Sequence, residues 1–258
     1  MSKKTPKVAY IDIETLPMQC TTFTLFPERL SPKSILKDGS IICIGVMVNG
    51  KNQKFFSVID NMTAFKKDPY DDKHLLKAYR DYMMKEDFDL IVGHNVRGFD
   101  LKIINARFAY HGIAPLPVVL VDDTLTMAKA SYKFQSNKLE HLAKFLGVDQ
   151  KLATTYDMWL DIIKGGPKAI KAVKDMVKYN KGDLICGWQV YEKLLPYSKS
   201  RLNRTHFTED ATGCPHCAST NLQSRGVARN VDGEYQRYQC QDCGKWTKSN
   251  KKNVKKHI

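Results

Sequence analysis

Apolar residues run through Val8-Ala9-Tyr10-Ile11 and on to Ile13, and only Asp12 and Glu14 break the stretch. A strand that is apolar on both faces is a central, buried one. Further strands are predicted near 41–49, 53–59, 88–93 and 117–122, where Val, Ile and Phe cluster and Gly, Asn and Asp punctuate the joins. Gly50-Lys51-Asn52 predicts a hairpin between the second and third. Helical periodicity covers 72–86, 100–111, 138–146 and 167–195. Asn137, with Glu140 three residues on, predicts a capping box, and Gly147 a helix stop. The last helix opens at Gly165-Gly166-Pro167 and ends before Pro196, with Gly182 predicting a weak point inside it. Early strands followed by alternating helices and strands imply an α/β fold, a mixed sheet flanked by helices.

On a strand, residues two apart project to the same side, so Asp12 and Glu14 aim at one spot. Burying two like charges side by side is costly unless a cation neutralises them. A divalent-metal site is therefore the expected chemistry. Two more acidic elements follow. Gly93-His94-Asn95-Val96-Arg97-Gly98-Phe99-Asp100 comes directly after an apolar strand, and Tyr179-Asn180-Lys181-Gly182-Asp183 places Tyr179 and Asp183 on one helix face. Each of these residues has a plainer reading. Asp100 could be a helix N-cap, Asn95 a turn residue, Tyr179 a half-buried aromatic and Asp183 a solvated charge. His94 reads as a structural or substrate-lining histidine rather than a metal ligand.

Composition narrows the partner. Lys and Arg total 41 against 27 Asp and Glu, a formal charge of +14 over 258 residues, which favours polyanions and nucleic acid first. No long apolar run and no basic amphipathic helix supports a membrane. The basic N-terminus leads into a short strand broken by acids, not a signal-peptide core, so a cytoplasmic protein with reduced thiols is expected.

Of seven cysteines, Cys43 and Cys186 lie in apolar surroundings and read as core thiols. Four others form two Cys-x-x-Cys pairs, Cys214/Cys217 and Cys240/Cys243, separated by 22 residues. That arrangement suits one structural Zn²⁺ held by four thiolates. The module resembles a zinc ribbon in which residues 235–240 enter a third strand. From residue 203 onward there are ten Lys and Arg against five acids. Trp246, Lys248, Lys251 and Lys252 suit a single strand, the lysines on phosphate and the indole on a base.

Asp-Ile-Glu-Thr, Asn-x-x-x-Phe-Asp and Tyr-x-x-x-Asp, in that order, resemble the three motifs of the DEDD 3′–5′ exonuclease superfamily. The tyrosine resembles its DEDDy branch, which includes proofreading domains of family B DNA polymerases. Asp123-Thr124-Leu125 and residues 136–147 resemble stand-alone members from phages and bacteria. The resemblance covers roughly 7–195. It implies a ribonuclease H-like fold and phosphodiester hydrolysis with two Mg²⁺ or Mn²⁺ ions. Asp12 would bridge both ions, Glu14 and Asp183 would complete the nucleophile-side ion, and Asp100 would hold the other, partly through water. Tyr179 would orient the attacking water, and Asn95 and Phe99 would shape the floor and wedge the terminal nucleotide.

The expected organisation is an exonuclease domain over 1–200, a linker over 201–211, a four-cysteine zinc ribbon over 212–247 and a basic tail over 248–258. The expected activity is 3′–5′ exonuclease action on DNA, single-stranded 3′ ends preferred, with a replication or repair protein as a further partner. An exoribonuclease and a catalytically silent nucleic-acid-binding platform are the alternatives, because recognition of a 2′-hydroxyl leaves no motif to read.

Overall fold

The computed structural model describes residues 6–25, 27, 29–148, 156–208 and 212–252, with side chains described as far as residue 249. Two compact units divide the chain, Lys7–Leu194 and a second beginning at Leu195.

In the first unit the apolar run forms β1 (Val8–Leu16). After a two-stranded ribbon of β2 (Gln19–Cys20) and β3 (Ile35–Lys37) come β4 (Ser40–Val48) and β5 (Asn52–Ser57). β6 (Leu90–Gly93) and β7 (Leu120–Asp123) complete a five-stranded sheet of order β5-β4-β1-β6-β7. β4 pairs antiparallel with β1 and β5, whereas β6 runs parallel to β1 and to β7. The sheet is mixed, as the element order predicts. β1 and β4 are buried because both have neighbours on each side, and that is why Ile11, Ile13, Ile41, Ile42, Ile44 and Val46 are almost wholly hidden. The hairpin between β4 and β5 turns at Asn49-Gly50, one residue earlier than predicted. Both adopt positive φ (48° and 71°) in a connection of Asn49, Gly50 and Lys51 between the paired Val48 and Asn52.

The helices are α1 (Met62–Lys67), α2 (Lys73–Glu86), α3 (Asp100–His111), α4 (Thr124–Ser131), α5 (Leu139–Leu146), α6 (Asp157–Lys164) and α7 (Gly166–Leu194). They depart from the sequence reading in three places. The predicted capping box at Asn137 and Glu140 does not form. α5 starts at Leu139 with Lys138 as its cap residue, and the Asn137 Oδ1 is buried without a partner. α7 is unbroken at Gly182, because packing along its buried face outweighs one residue's poor propensity. α1, α4 and α6 are not among the helices the periodicity predicts. Gly147 does end α5, with φ of 63°.

α2, α3 and β4 are pinned together by Asp72, which has no exposed surface. Its carboxylate accepts two bonds from Arg107 (both 2.8 Å) and one from the Ile41 N–H (2.9 Å), and lies 2.6 Å from His111 Nε2. Removing one partner of such a buried pair strands a charge, at a cost of about 3–5 kcal/mol.

α7 packs across β4 and β1, and two glycines make that approach close. A Cβ at Gly45 of β4 would collide with Asn180 Oδ1 and the Leu184 side chain of α7. A Cβ at Gly187 of α7 would collide with the Tyr10 phenol of β1. Gly187→Ala is expected to lower stability by about 1–3 kcal/mol, the usual cost of overpacking, measured by chemical denaturation. Unchanged stability would mean that Tyr10 has somewhere to go.

In the second unit, β8 (Leu222–Asn230), β9 (Gly233–Cys240) and β10 (Trp246–Lys252) form a three-stranded antiparallel sheet of order β10-β9-β8. Residues 235–240 therefore lie in the middle strand, not a third one as predicted. The longer β8–β9 hairpin uses up the 22-residue spacer. Lys245 reaches back to the carbonyls of Leu195 and Ser198 (2.5 and 2.7 Å), so the chain from Leu195 is tied to the ribbon.

Candidate active site

Tyr10, Asp12 and Glu14 alternate onto the side of β1 that faces α7. Carboxylate oxygens of Asp12, Glu14 and Asp183 all lie within 4.8 Å of one another. Asp183 comes from the middle of α7 and is buried, while Asp12 and Glu14 are half-buried. The register of β1 against β4 slips between Glu14 and Thr15, a bulge that bends the strand where its second acid points. No carboxylate of this trio can be discharged by the other two, which are negative as well, and hard oxygen donors at this spacing fit Mg²⁺ or Mn²⁺.

Asp100 stands beside the trio rather than in it. It is the first residue of α3, not its cap, and its Oδ1 accepts the backbone N–H of Ile13 at 3.1 Å, between the two strand acids. Burial pushes its carboxyl up from 3.8 to about 7, its own amide and that of Ile13 oppose this, and the charge of Asp123 adds to the rise. Tyr10 shows the same field. Its phenol is held well above 10 by burial and then by the negative charge of Asp12, Asp100 and Asp183.

Asn180 is the site residue that sequence reasoning missed. Its Nδ2 donates to Asp12 Oδ2 at 2.7 Å, and its Oδ1 sits where a Cβ of residue 45 would be. Gly45 is the cross-strand partner of Asp12. A lone glycine inside an apolar strand was the available signal, since it often marks close approach of another group. Tyr179, one residue before, is half-buried and packs against the core, one helical turn from Asp183.

The loop after β6 is shaped by Asp123. Its two carboxylate oxygens accept the N–H groups of Asn95 (3.0 Å), Arg97 (3.0 Å) and Leu125 (2.9 Å), so one buried side chain clamps the loop and starts α4. Asn95 takes φ of 59°, and its carbonyl accepts the N–H groups of Gly98 and Phe99. The turn role and the site role of Asn95 are thus compatible. Phe99 is 44% exposed at the mouth of α3. His94 Nδ1 lies 2.9 Å from Thr124 Oγ1, a structural partner, and His94 is not among the grouped ligands. A concavity of about 690 Å³ is lined by Lys37, Tyr70, Arg107 and His111 among others, and by none of the four acids.

In the second unit the sulfurs of Cys214, Cys217, Cys240 and Cys243 also lie within 4.8 Å of one another. Cys214 to Cys243 is 3.7 Å and Cys217 to Cys240 is 3.6 Å. Zn–S bonds of about 2.3 Å would put tetrahedral sulfurs about 3.8 Å apart, and a disulfide would need about 2.05 Å. The backbone amides of His216 and Cys217 turn onto Cys214 Sγ, and those of Asp242 and Cys243 onto Cys240 Sγ. This repeated turn favours thiolates, and the four residues fit zinc. His216, between the ligands, is half-buried and outside the group. Trp246 is 49% exposed on β10, and Lys248 lies two residues along the same strand. Lys251 and Lys252 have side chains outside the described residues, as does the tail beyond 252.

Residues 35–195 match the RNase H superfamily, and the chain belongs to that superfamily. The match begins after Asp12 and Glu14 and does not cover those two acids. The fold is similar to that of the family B DNA polymerase from the hyperthermophilic archaeon Pyrobaculum calidifontis. The TM-score is 0.54 at 17% identity, over 74% of this chain and 25% of the polymerase. The chain thus corresponds to about a quarter of that polymerase's length. No curated protein matches. No helix among the described residues is long and apolar enough to cross a membrane.

With the folded value of Asp100 near 7 and its ordinary value 3.8, the folded, magnesium-free protein holds a proton that the unfolded chain has released. This carboxyl therefore contributes stability at acid pH that is lost as pH rises from about 4 through 7. Thermal melts of zinc-retaining, magnesium-free protein are expected to fall across that window. Asp100→Asn should flatten the fall, and added Mg²⁺ should raise the melting temperature more at about pH 8 than at about pH 5. Identical pH profiles for the two proteins would remove Asp100 from the charged cluster.

For the ribbon, metal analysis of purified protein is expected to give one zinc per chain, with Cys217→Ser and Cys243→Ser each losing it. A full zinc equivalent in both variants would refute a four-thiolate site.

Proposed function

We propose that this chain is a metal-dependent 3′–5′ exonuclease that hydrolyses single-stranded DNA, with a zinc-stabilised ribbon that helps engage the strand. The observation that carries the reading is the convergence of Asp12, Glu14 and Asp183 from two distant segments, with Asp100 bonded to the amide between the first two. Superfamily membership supports a nuclease, and the fold likeness is to a protein named as a DNA polymerase.

Two divalent ions, when bound, would supply Lewis acidity on both sides of the scissile phosphate and lower the pKa of the attacking water. Asp12, Glu14 and Asp183 would hold one of them, and Asp12 with Asp100 the other. The chain's own residues do the positioning. Asn180 fixes the orientation of the Asp12 carboxylate through a 2.7 Å bond. Asp123 keeps the loop carrying Asn95 in one conformation, so that Phe99 stands exposed beside Asp100, where it would stack on the terminal base. Tyr179, on the same helix face as Asp183, would orient the nucleophilic water. Its phenol would act there as a hydrogen-bond partner.

Degradation of 5′-labelled single-stranded DNA and matching RNA with Mg²⁺ or Mn²⁺ tests this. A ladder shortening from the 3′ end is expected on DNA. Asp12→Ala should slow it on the order of 10³-fold or more, and Asn180→Ala by about 10–100-fold, as expected for a group that orients a metal ligand. Faster cleavage of the RNA would make the chain an exoribonuclease, and unchanged turnover in Asp12→Ala would end the site assignment.

A further inference from the structure

The ribbon sheet carries an ordered aromatic and basic face. Directly opposed residues of an antiparallel pair share a face, and the register sets Trp246 against Gln239 and Lys248 against Arg237. Tyr235, Arg237 and Gln239 alternate onto the same side of β9. Tyr235, Arg237, Trp246 and Lys248 are therefore neighbours on one surface. They are also paired: the Arg237 guanidinium lies 4.9 Å from the Trp246 ring centroid, and the Lys248 ammonium 4.1 Å from that of Tyr235. Arg237 is fixed further by its Nε donating to the Arg225 carbonyl at 3.1 Å.

Charge on this face is not spent internally. Among the described residues neither Arg237 nor Lys248 meets a carboxylate. Glu234 is taken by Arg229 at 2.7 Å, and Asp242 by Ser219 and Asn221 (2.5 and 2.8 Å). Two aromatic rings partly open to solvent, each with an unneutralised cation already beside it, suit a ligand that alternates flat apolar surfaces with negative charge. A single nucleic-acid strand has that alternation. A duplex hides its bases, and an acidic peptide offers charge without rings to stack.

We infer that the Tyr235–Arg237–Trp246–Lys248 face is a stacking platform for single-stranded DNA. Trp246 and Tyr235 each take a base, and Arg237 and Lys248 take the phosphates between. The choice of DNA rests on the function proposed above. The platform itself rests on the ribbon alone.

The test uses the full zinc-bound chain carrying Asp12→Ala, so that strands stay intact, and reads binding by fluorescence anisotropy. The probes are a thymidine strand of about 15 nucleotides, within the range one such module spans, an abasic strand of equal length, the matching uridine strand and poly-glutamate as competitor. Trp246→Ala and Tyr235→Ala are each expected to weaken thymidine-strand binding about five- to hundredfold, with abasic-strand binding unchanged. Trp246→Phe should retain most of the affinity. Arg237→Ala with Lys248→Ala should weaken binding to both strands and lower the salt slope by about 0.7 per lost phosphate contact. Zinc content measured on every variant shows that the ribbon is still folded. Aromatic variants that bind the thymidine strand like the parent, or lose equally on the abasic strand, would overturn the stacking role. Poly-glutamate competing as well as DNA would replace it with a merely acidic partner, and tighter uridine binding with the same losses would replace DNA by RNA. Hydrolysis is scored separately on the Asp12 protein: no cleavage with the binding pattern intact strikes the nuclease proposal and leaves the platform standing.

Discussion

Mutual repulsion among carboxylates on and around one buried strand is the constraint to which the first unit is fitted. Asp12 and Glu14 are held together by the pairing of β1 with β4, and the Ile13 N–H between them is bonded to Asp100. Asp183 is held against them by a 29-residue helix packed across the sheet. Dipoles form part of the answer. The Asn180 amide donates to Asp12, the Ile13 N–H to Asp100, and the backbone amides of Asn95, Arg97, Leu125 and Thr126 to Asp123. Arg107, about two turns further along the helix that Asp100 opens, is committed to Asp72. Hard oxygen ligands arranged this way suit a divalent cation.

Much of this was legible in the sequence, for a physical reason in each case. An acid in an apolar strand violates the burial rule, so Asp12 and Glu14 announce themselves. The motif order brings Asp183 and Asp100 with them. Strands and long helices were readable because burial on two faces or one stripe leaves a periodic trace, as in 40–48 and 166–194. Of the helices the periodicity did not predict, α1 and α4 start on capping side chains, Asn61 and Asp123, that no periodicity reveals. The role of Asn180 was hidden for another reason. Its meaning depends on what lies opposite it on β4, which no local pattern records. Asn137 misled because its side-chain oxygen is buried rather than turned to the helix amides.

The second unit follows a different logic. Of the described residues in its sheet and knuckles, Cys214 and Cys240 are buried, while most of β8 to β10 is half-buried or exposed. So small an apolar interior gives three strands little support, and the four-cysteine cluster is placed where a metal would supply it. Stability obtained at the knuckles leaves the sheet surface unencumbered by packing duties. That is why a Trp, a Tyr and two cations can stand on it without a hydrophobic neighbour to cover them.

The two glycines under α7 set a clearance. With no Cβ at 45 or 187, the helix rests as near the sheet as backbones allow, and the gap between Asp183 and the β1 acids is the outcome of that seating. Metal–oxygen distances differ by ion, about 2.0–2.1 Å for Mg²⁺ and 2.3–2.6 Å for Ca²⁺. An ion of either size would have to meet the spacing that this seating leaves, so a Cβ at either glycine would disturb that spacing and the fold together. The seat of α7 against the strand that carries Asp12 and Glu14 is gauged by two side chains that are not there.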